Sequence, residues 1–375
     1  MSKTASTADV VIMGGGVSGC AVAYFLASDH HLRCTIVERD GVANHASGNA
    51  AGELSPIGRY RLPASVVQFG VEGLKLHRSL APKLLEESGI DYQLTDTPIL
   101  RPAFTETEMT ALREQMAWQN DMGIECSWLD EQTLESLPTW LASECRGTLY
   151  TEEAQLETRL FALALAEAAQ RNGVTISHGE VTGLLKFGSR ASGVMMGEDS
   201  ILAQAVVIAS GPWSLYASDW LGSSVPVKPV KGQIIYLEPP MPMPDHAIFH
   251  DTGFVLPKPS GELLVGTTEE DTGFDTTTTQ DAGGSIMEAV GRLAPMLASA
   301  RIRRVTACLR AQSSDGLPII GTAPGLDGVY MATGHYRKGI LQSLVTGKYL
   351  AQLIAHGHTD YPLEPFSPQR FTASA

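Results

Sequence analysis

Apolar positions along this chain follow two periods, and each predicts a different element. Val10, Val11, Ile12 and Met13 form an uninterrupted apolar run and residues 34–37 a second, β-rich one, with helix-compatible residues 20–27 between them. From 64 to 88 apolar residues recur at helical spacing (Val67, Val71, Leu74, Leu80, Leu84), and 106–122 predicts another helix, with a strand at 92–100 between the two. Residues 156–172 have one apolar face and end at Gly173 in the manner of a helix C-cap. Short strands are expected at 174–178, 193–196 and 205–209. Then the pattern changes: 225–237, 247–257 and 262–268 are strand-like runs separated by Pro and Gly clusters, among them an exposed proline loop at 239–244, and together they predict an antiparallel sheet. A helix at 284–297, strands at 301–320 and 329–333, and an amphipathic helix at 339–356 complete the pattern. No internal repeat is present.

The run at 10–13 ends in Gly14-Gly15-Gly16-Val17-Ser18-Gly19, so the local order is strand, glycine turn, helix, strand, as in a dinucleotide-binding βαβ unit. Gly14 allows the tight turn, Gly16 leaves bare backbone for a pyrophosphate, and Gly19 lets the helix pack close to the strand. The helix N-terminus at Val17 and Ser18 offers unpaired N–H groups and a positive dipole end to phosphates. Glu38 closes the second strand, where its carboxylate can accept hydrogen bonds from both ribose hydroxyls of an adenosine and would repel a 2′-phosphate. The stretch that follows, 39–56, is rich in Ala, Gly, Ser and Asn and lets backbone approach something flat or charged.

Length predicts two domains, since 375 residues with 43% hydrophobic content exceed one βαβ-based core. The element order places a nucleotide domain at 8–90, 146–224 and 304–370, interrupted by a substrate-binding domain at 91–145 and 225–303. A net charge of −14 argues against a nucleic-acid partner and leaves a small zwitterion open. The five cysteines are scattered without C-x-x-C spacing, which predicts neither a disulfide framework nor a metal site and fits a cytoplasmic protein. No signal peptide is evident at the N-terminus and no apolar run reaches the ~18 residues of a membrane span.

Several separated stretches carry a more specific signal: Ala50-Ala51-Gly52, residues 206–213, Val230-Lys231-Gly232-Gln233, Phe249-His250-Asp251, Val265-Gly266-Thr267-Thr268, Leu309-Arg310 with 315–321, and Gly334-His335-Tyr336-Arg337-Lys338-Gly339-Ile340-Leu341. Together they resemble the FAD-dependent amine oxidoreductases of the D-amino acid oxidase family, in wording closest to its glycine oxidase branch. The resemblance spans nearly the whole chain. It implies an α/β fold with a Rossmann-type FAD-binding domain interrupted by a second α+β domain bearing an antiparallel sheet. The implied activity is oxidation of the C–N bond of a small amino acid or secondary amine (glycine, sarcosine, proline or a D-amino acid) by hydride transfer to flavin N5. The imine then hydrolyses, and oxygen or another acceptor takes the electrons.

By the same resemblance Glu38 and Arg39 lie at the adenosine end and Val181 beside the adenine. Ser47, Ala50, Ala51, Gly52 and Leu54 run along the ring and phosphates, and Ser210, Gly211 and Trp213 lie near the ribityl chain. Residues Gly334 to Leu341 run under the pyrimidine edge, where backbone N–H groups and a helix N-terminus meet negative charge. Arg337 either adds positive charge there or reaches the substrate. Arg310 matches the carboxylate-binding arginine, since its planar fork suits a carboxylate better than a lysine does; a structural salt bridge is the competing role. Phe254 stands where the branch carries a substrate-side tyrosine, so one hydroxyl is missing. Glu53 replaces a neutral residue: it binds a substrate ammonium or a cationic side chain, or it turns to solvent or pairs with Arg59 or Arg61. His335 shapes the site or bonds the flavin, and neither it nor His250 or Asp251 is needed as a base if the amine arrives deprotonated. Cys308 lies close to where a related branch tethers its flavin, although non-covalent FAD is the main expectation.

Two other readings remain. His45-Ala46-Ser47-Gly48-Asn49 also resembles the oxidase domain of a tRNA wobble-uridine modifying enzyme, which implies a macromolecule-linked amine, and a flavoprotein without turnover is the third. Homo-oligomerisation is open.

Overall fold

Val10–Met13 is buried on both faces and sits within a six-stranded sheet, as a continuous apolar run in a parallel sheet requires. The computed structural model describes residues 6–57, 62–137 and 139–372. Cys34–Glu38 and Ala205–Ile208 flank Val10–Met13 in parallel, Thr175–His178 and Val329–Thr333 extend the sheet in parallel, and Ile319–Thr322 closes one edge antiparallel. Alternation sends Val10 and Ile12 into a core shared with the Val17–Ser28, Ala64–Ser88, Thr158–Arg171 and Gly339–His356 helices. Val11 and Met13 enter a second core under a four-stranded sheet formed by Ser6–Thr7, Asp199–Leu202, Arg190–Met196 and Gly183–Phe187.

The second large sheet runs in the order Ile302–Ser313, Val227–Leu237, Leu263–Gly266, Gly253–Pro257, Ala247–His250, Thr95–Ala103, Gly147–Gln155, Glu53–Leu54. It is antiparallel except between Ala247–His250 and Thr95–Ala103. The expected α/β fold, with a parallel sheet and a separate antiparallel one, is therefore present.

Local departures have physical causes. The strand expected at 92–100 is Thr95–Ala103, because Gln93 takes a positive φ of 55° over an Asp91 turn. The run at 247–257 is two strands, turned at Asp251 and Thr252 so that Phe249 pairs with Phe254. The helix expected from 284 starts at Gln280 because Thr279 caps it. Gly147–Gln155 escapes the hydrophobic pattern altogether: its buried positions include Thr148, Thr151, Glu153 and Gln155.

Parallel strands end on one side, so the loops after Met13, Ile208 and Thr333 emerge together, and the Ile302–Ser313 strand brings Arg310 to the same place. The Val17–Ser28 helix is held there by Gly339–His356, whose Gly347 allows close approach: a methyl at 347 would stand 2.7 Å from Ala21. Gly347→Ala should therefore overpack this contact and lower unfolding free energy by roughly 1–3 kcal/mol, read as a lower urea midpoint; an unchanged midpoint would mean the helices have room to separate.

Candidate functional site

The strand ends open into a crevice of about 590 Å³, within the roughly 300–1,000 Å³ of ligand clefts. At one end the Gly14 backbone has φ +107° and a methyl there would lie 2.7 Å from Ala209 O; a methyl at Gly19 would overlap Gly14 O. Both glycines are forced by contact. Gly16 differs, since a methyl there would face only Ser47 Oγ, so that strip of backbone lies bare. The Val17 N–H, expected to be unpaired, donates to Ser47 Oγ at 3.0 Å, and Gly16 at the N-cap brings no side chain to the N–H groups that follow. Uncapped N–H groups beside a bare glycine strip are what a dinucleotide pyrophosphate fits.

Glu38 is pinned by three backbone donors: Gly15 N–H to Oε2 at 2.7 Å, and Asp40 and Gly41 N–H to Oε1 at 2.7 and 3.2 Å. The carboxylate, so oriented, lines the crevice with acceptor capacity left over. Arg39 pairs with Asp40 and Glu180, and Val181 lines the crevice beside them.

Further along, Ser210 Oγ donates to Met13 O at 3.1 Å, and Gly211, at φ +54°, has its carbonyl held by Thr333 Oγ1 at 3.0 Å. Trp213 packs against His45, with centroids 4.6 Å apart, and against Phe274 at 5.4 Å. Gly334 and Tyr336 turn the last loop at φ of +74° and +50°. His335 is buried with Nε2 2.9 Å from Thr346 Oγ1, and burial pushes its imidazole down to about 4. It is neutral at ordinary pH and a weak base.

The structure thus brings Gly14, Gly16, Val17, Ser18, Glu38, Arg39, Ser47, Val181, Ser210, Gly211, Trp213, Arg310, Gly334, His335, Tyr336 and Gly339 to one lining. Gly19, Ala50, Ala51, Gly52, Leu54, Arg337, Lys338, Ile340 and Leu341 lie outside it, as do Glu53 and Phe254. Several of these hold the wall instead. Ala51 O accepts from the buried Lys258 Nζ at 3.0 Å, Lys338 Nζ donates to Ser55 O and Ile57 O at 2.7 Å each, and Leu341 packs under Gly70 and Gly73. Arg337 pairs with Glu269. Phe254 is buried, stacked on Phe249 and seated over Gly266. Glu53 is half-buried and lies within electrostatic reach of Lys258 and Lys338; Arg59 and Arg61, its other expected partners, lie outside the described residues. Cys308 is buried and burial pushes its thiol up, away from the reactive thiolate.

Arg310 is the unusual member. It is half-buried, its Nη1 donates to Thr268 O at 3.1 Å and its Nη2 to Thr267 Oγ1 at 2.8 Å, and among the described residues it has no acidic partner. Other interior arginines are paired with acids, Arg101 with Glu153 and Arg370 with Asp315. Of five guanidinium N–H groups, three remain for a ligand.

His45 and Tyr216 also line the crevice and were not expected. Tyr216 stacks on Phe274, from a loop 58 positions away, at 5.7 Å, and nothing local in the sequence connects the two.

Residues 9–353 match the family described as DAO, FAD dependent oxidoreductase. The chain is 32% identical over 367 residues to a glycine oxidase of Geobacillus kaustophilus, covering 96% of this chain and 97% of that one. It is 30% identical over 403 residues to hydrogen cyanide synthase subunit HcnC of Pseudomonas protegens, covering 98% and 97%. The crystal structure of glycine oxidase from Geobacillus kaustophilus superposes with a TM-score of 0.92 at 30% identity, over 97% of this chain and 99% of that one.

Burial pushes Lys338 down to about 8 from an ordinary 10.5. Between those values the unfolded chain binds more protons than the folded one, so this group makes stability rise with pH across that window, by on the order of 3 kcal/mol, and adds no slope below it. Lys338→Met should remove the rise. Urea unfolding of both proteins at about pH 7.5 and about pH 9.5 checks this: the wild type should gain on the variant at the higher pH, and a constant difference would contradict the assignment.

Proposed function

Because the chain belongs to the DAO family of FAD dependent oxidoreductases, we propose that it oxidises the C–N bond of a small amino acid whose carboxylate is held by Arg310. The family, its fold and its FAD dependence agree with what the sequence implied. Among the described residues, no helix is long and apolar enough to cross a membrane. The observation that carries the substrate reading is the half-buried Arg310 guanidinium at the crevice, supplied with hydrogen-bond acceptors but with no carboxylate from the described residues. Leaving a cation in that state is costly unless an anion completes it.

FAD would be held by crevice-lining residues: Gly14, Gly16, Val17 and Ser18 for its pyrophosphate, Glu38, Arg39 and Val181 for its adenosine end, Ser210, Gly211 and Trp213 for its ribityl chain, and Gly334, His335, Tyr336 and Gly339 for its ring. When bound, FAD would supply the two-electron acceptor for the hydride of the substrate α-carbon, with oxygen or another acceptor as the final electron sink. The chain's part is to bind and orient. Arg310 would fix the carboxylate through the guanidinium N–H groups that Thr267 and Thr268 leave uncommitted. The amine enters neutral, its proton lost to water, since His335 is buried and already committed to Thr346. Glu53 serves the buried Lys258 and the half-buried Lys338 as a field partner. The product imine hydrolyses in water. An acidic chain of net charge −14 favours a free amino acid over a nucleic-acid-linked amine.

Mixing the holoenzyme anaerobically with a panel of small amino acids should bleach the yellow colour with at least one of them. Arg310→Ala should raise KM for carboxylate substrates by the equivalent of ~2–5 kcal/mol, and unchanged kinetics would rule the anchor out. Acid precipitation should leave all yellow colour in the supernatant; colour retained in the pellet would implicate Cys308 in a thioether.

A further inference from the structure

The Val230-Lys231-Gly232-Gln233 stretch lies in the middle of the Val227–Leu237 strand, away from the catalytic crevice lining. A glycine there weakens a strand, through backbone entropy and a lost side-chain contact. Backbone conformation does not demand it, because Gly232 is absent from the positive-φ glycines. Space does. Gly232 pairs with Cys308 on the neighbouring strand, and Val230 pairs with Arg310, so residues 230, 232, 308 and 310 share one face. A methyl built on Gly232 would overlap the Nη1, Nη2 and Cζ atoms of Arg310. The guanidinium lies flat in the gap this glycine leaves.

The opposite face of the same four-residue stretch fixes the far side of that gap. Lys231 is almost fully buried and its ammonium reaches Asp275 at 2.9 Å and Glu270 at 3.2 Å. The Gln233 side chain donates to Glu270 at 2.9 Å and accepts from the Thr279 N–H at 3.0 Å. These bonds hold the segment that begins at Thr267 and Thr268, the two residues whose oxygens receive Nη2 and Nη1 of Arg310. Thr267 Oγ1 also donates to Gln233 O at 2.9 Å, so its hydroxyl is oriented before it accepts from Arg310.

We propose that Gly232 is a positioning residue for substrate carboxylate recognition: its missing side chain, with Thr267 Oγ1, sets the plane of the Arg310 guanidinium at the crevice and leaves three of its N–H groups uncommitted. The inference rests on the reading of Arg310 as carboxylate anchor. Its physical content is that the overlap at 232 falls on the far end of a flexible side chain, not on backbone. The fold can absorb a methyl there by moving the guanidinium, so the damage goes to recognition.

Gly232→Ala holoenzyme should keep its unfolding midpoint and its FAD. KM for the amino acid substrate should rise roughly 10- to 100-fold, as expected when a charged hydrogen bond is misplaced, with turnover at saturation changing much less. Benzoate, followed by the change it causes in the flavin absorption spectrum, should bind more weakly by a similar factor. In an Arg310→Ala background the same glycine change should add nothing. Thr267→Val should weaken benzoate and Thr267→Ser should not, which keeps the test open if the glycine variant fails to fold. Wild-type benzoate affinity in Gly232→Ala and Thr267→Val, with affinity lost in Arg310→Ala, would overturn the positioning role and leave the anchor standing. Wild-type affinity in all three would overturn the anchor itself.

Discussion

A guanidinium held half-buried without an acid is the constraint around which this structure is arranged. A cation in such a place must be compensated by hydrogen-bond acceptors or by a ligand. Arg310 receives two acceptors from the chain, Thr267 Oγ1 and Thr268 O, and lies where the antiparallel sheet meets the mouth of the parallel one. Its strand places it there: Ile302–Ser313 runs along the edge of the antiparallel sheet, and the isolated bridge from Gln312 to His335 ties it to the loop that follows Val329–Thr333. Arg310 and the Gly334–Leu341 loop are thus joined through two residues of backbone.

The antiparallel sheet pays for this with a polar interior. Lys231 and Lys258 are each almost fully buried, Lys231 ending on Asp275 and Lys258 on Ala51 O, and the half-buried Lys338 ends on Ser55 O from the last loop. Arg101, Glu153, Thr151 and Ser55 form a further buried network whose Ser55 hydroxyl is linked to the Ile57 carbonyl that receives Lys338. Hydrogen bonds of this kind are directional, so they fix segments that have little side chain of their own, such as Ala50-Ala51-Gly52. The parallel sheet needs no such devices, because helices and a small sheet cover both its faces with apolar contact.

That contrast explains what could be read from the sequence. In the parallel sheet, burial and hydrophobicity coincide, and Val329–Thr333 and Gly339–His356 stand where periodicity put them. In the antiparallel sheet the inward positions of Gly147–Gln155 carry Thr, Glu and Gln, so the alternation that marks a strand is hidden. The site divides the same way. The strand, glycine-turn, helix, strand order was enough to single out Gly14, Gly16 and Glu38, which line one crevice, because they belong to one contiguous unit. The resemblance to a family located Arg310, but no local pattern distinguishes it from Arg303 or Arg304 on the same strand. Tyr216 and Phe274 are brought together only by the tertiary fold.

Three glycines show how different the demands behind one residue type are. Gly14 needs its φ of +107° and also touches Ala209, so any side chain strains the backbone and collides with it. Gly347 has helical backbone that alanine adopts freely, and only the neighbouring helix objects, so a larger residue there is a matter of packing and stability. Gly232 has extended backbone, and the atoms a side chain would meet belong to a mobile guanidinium. Only in the third case can the fold yield at little cost while the site does not. A glycine of that kind in the middle of a strand weakens the sheet it sits in, and its physical justification must be sought in the side chain it makes room for.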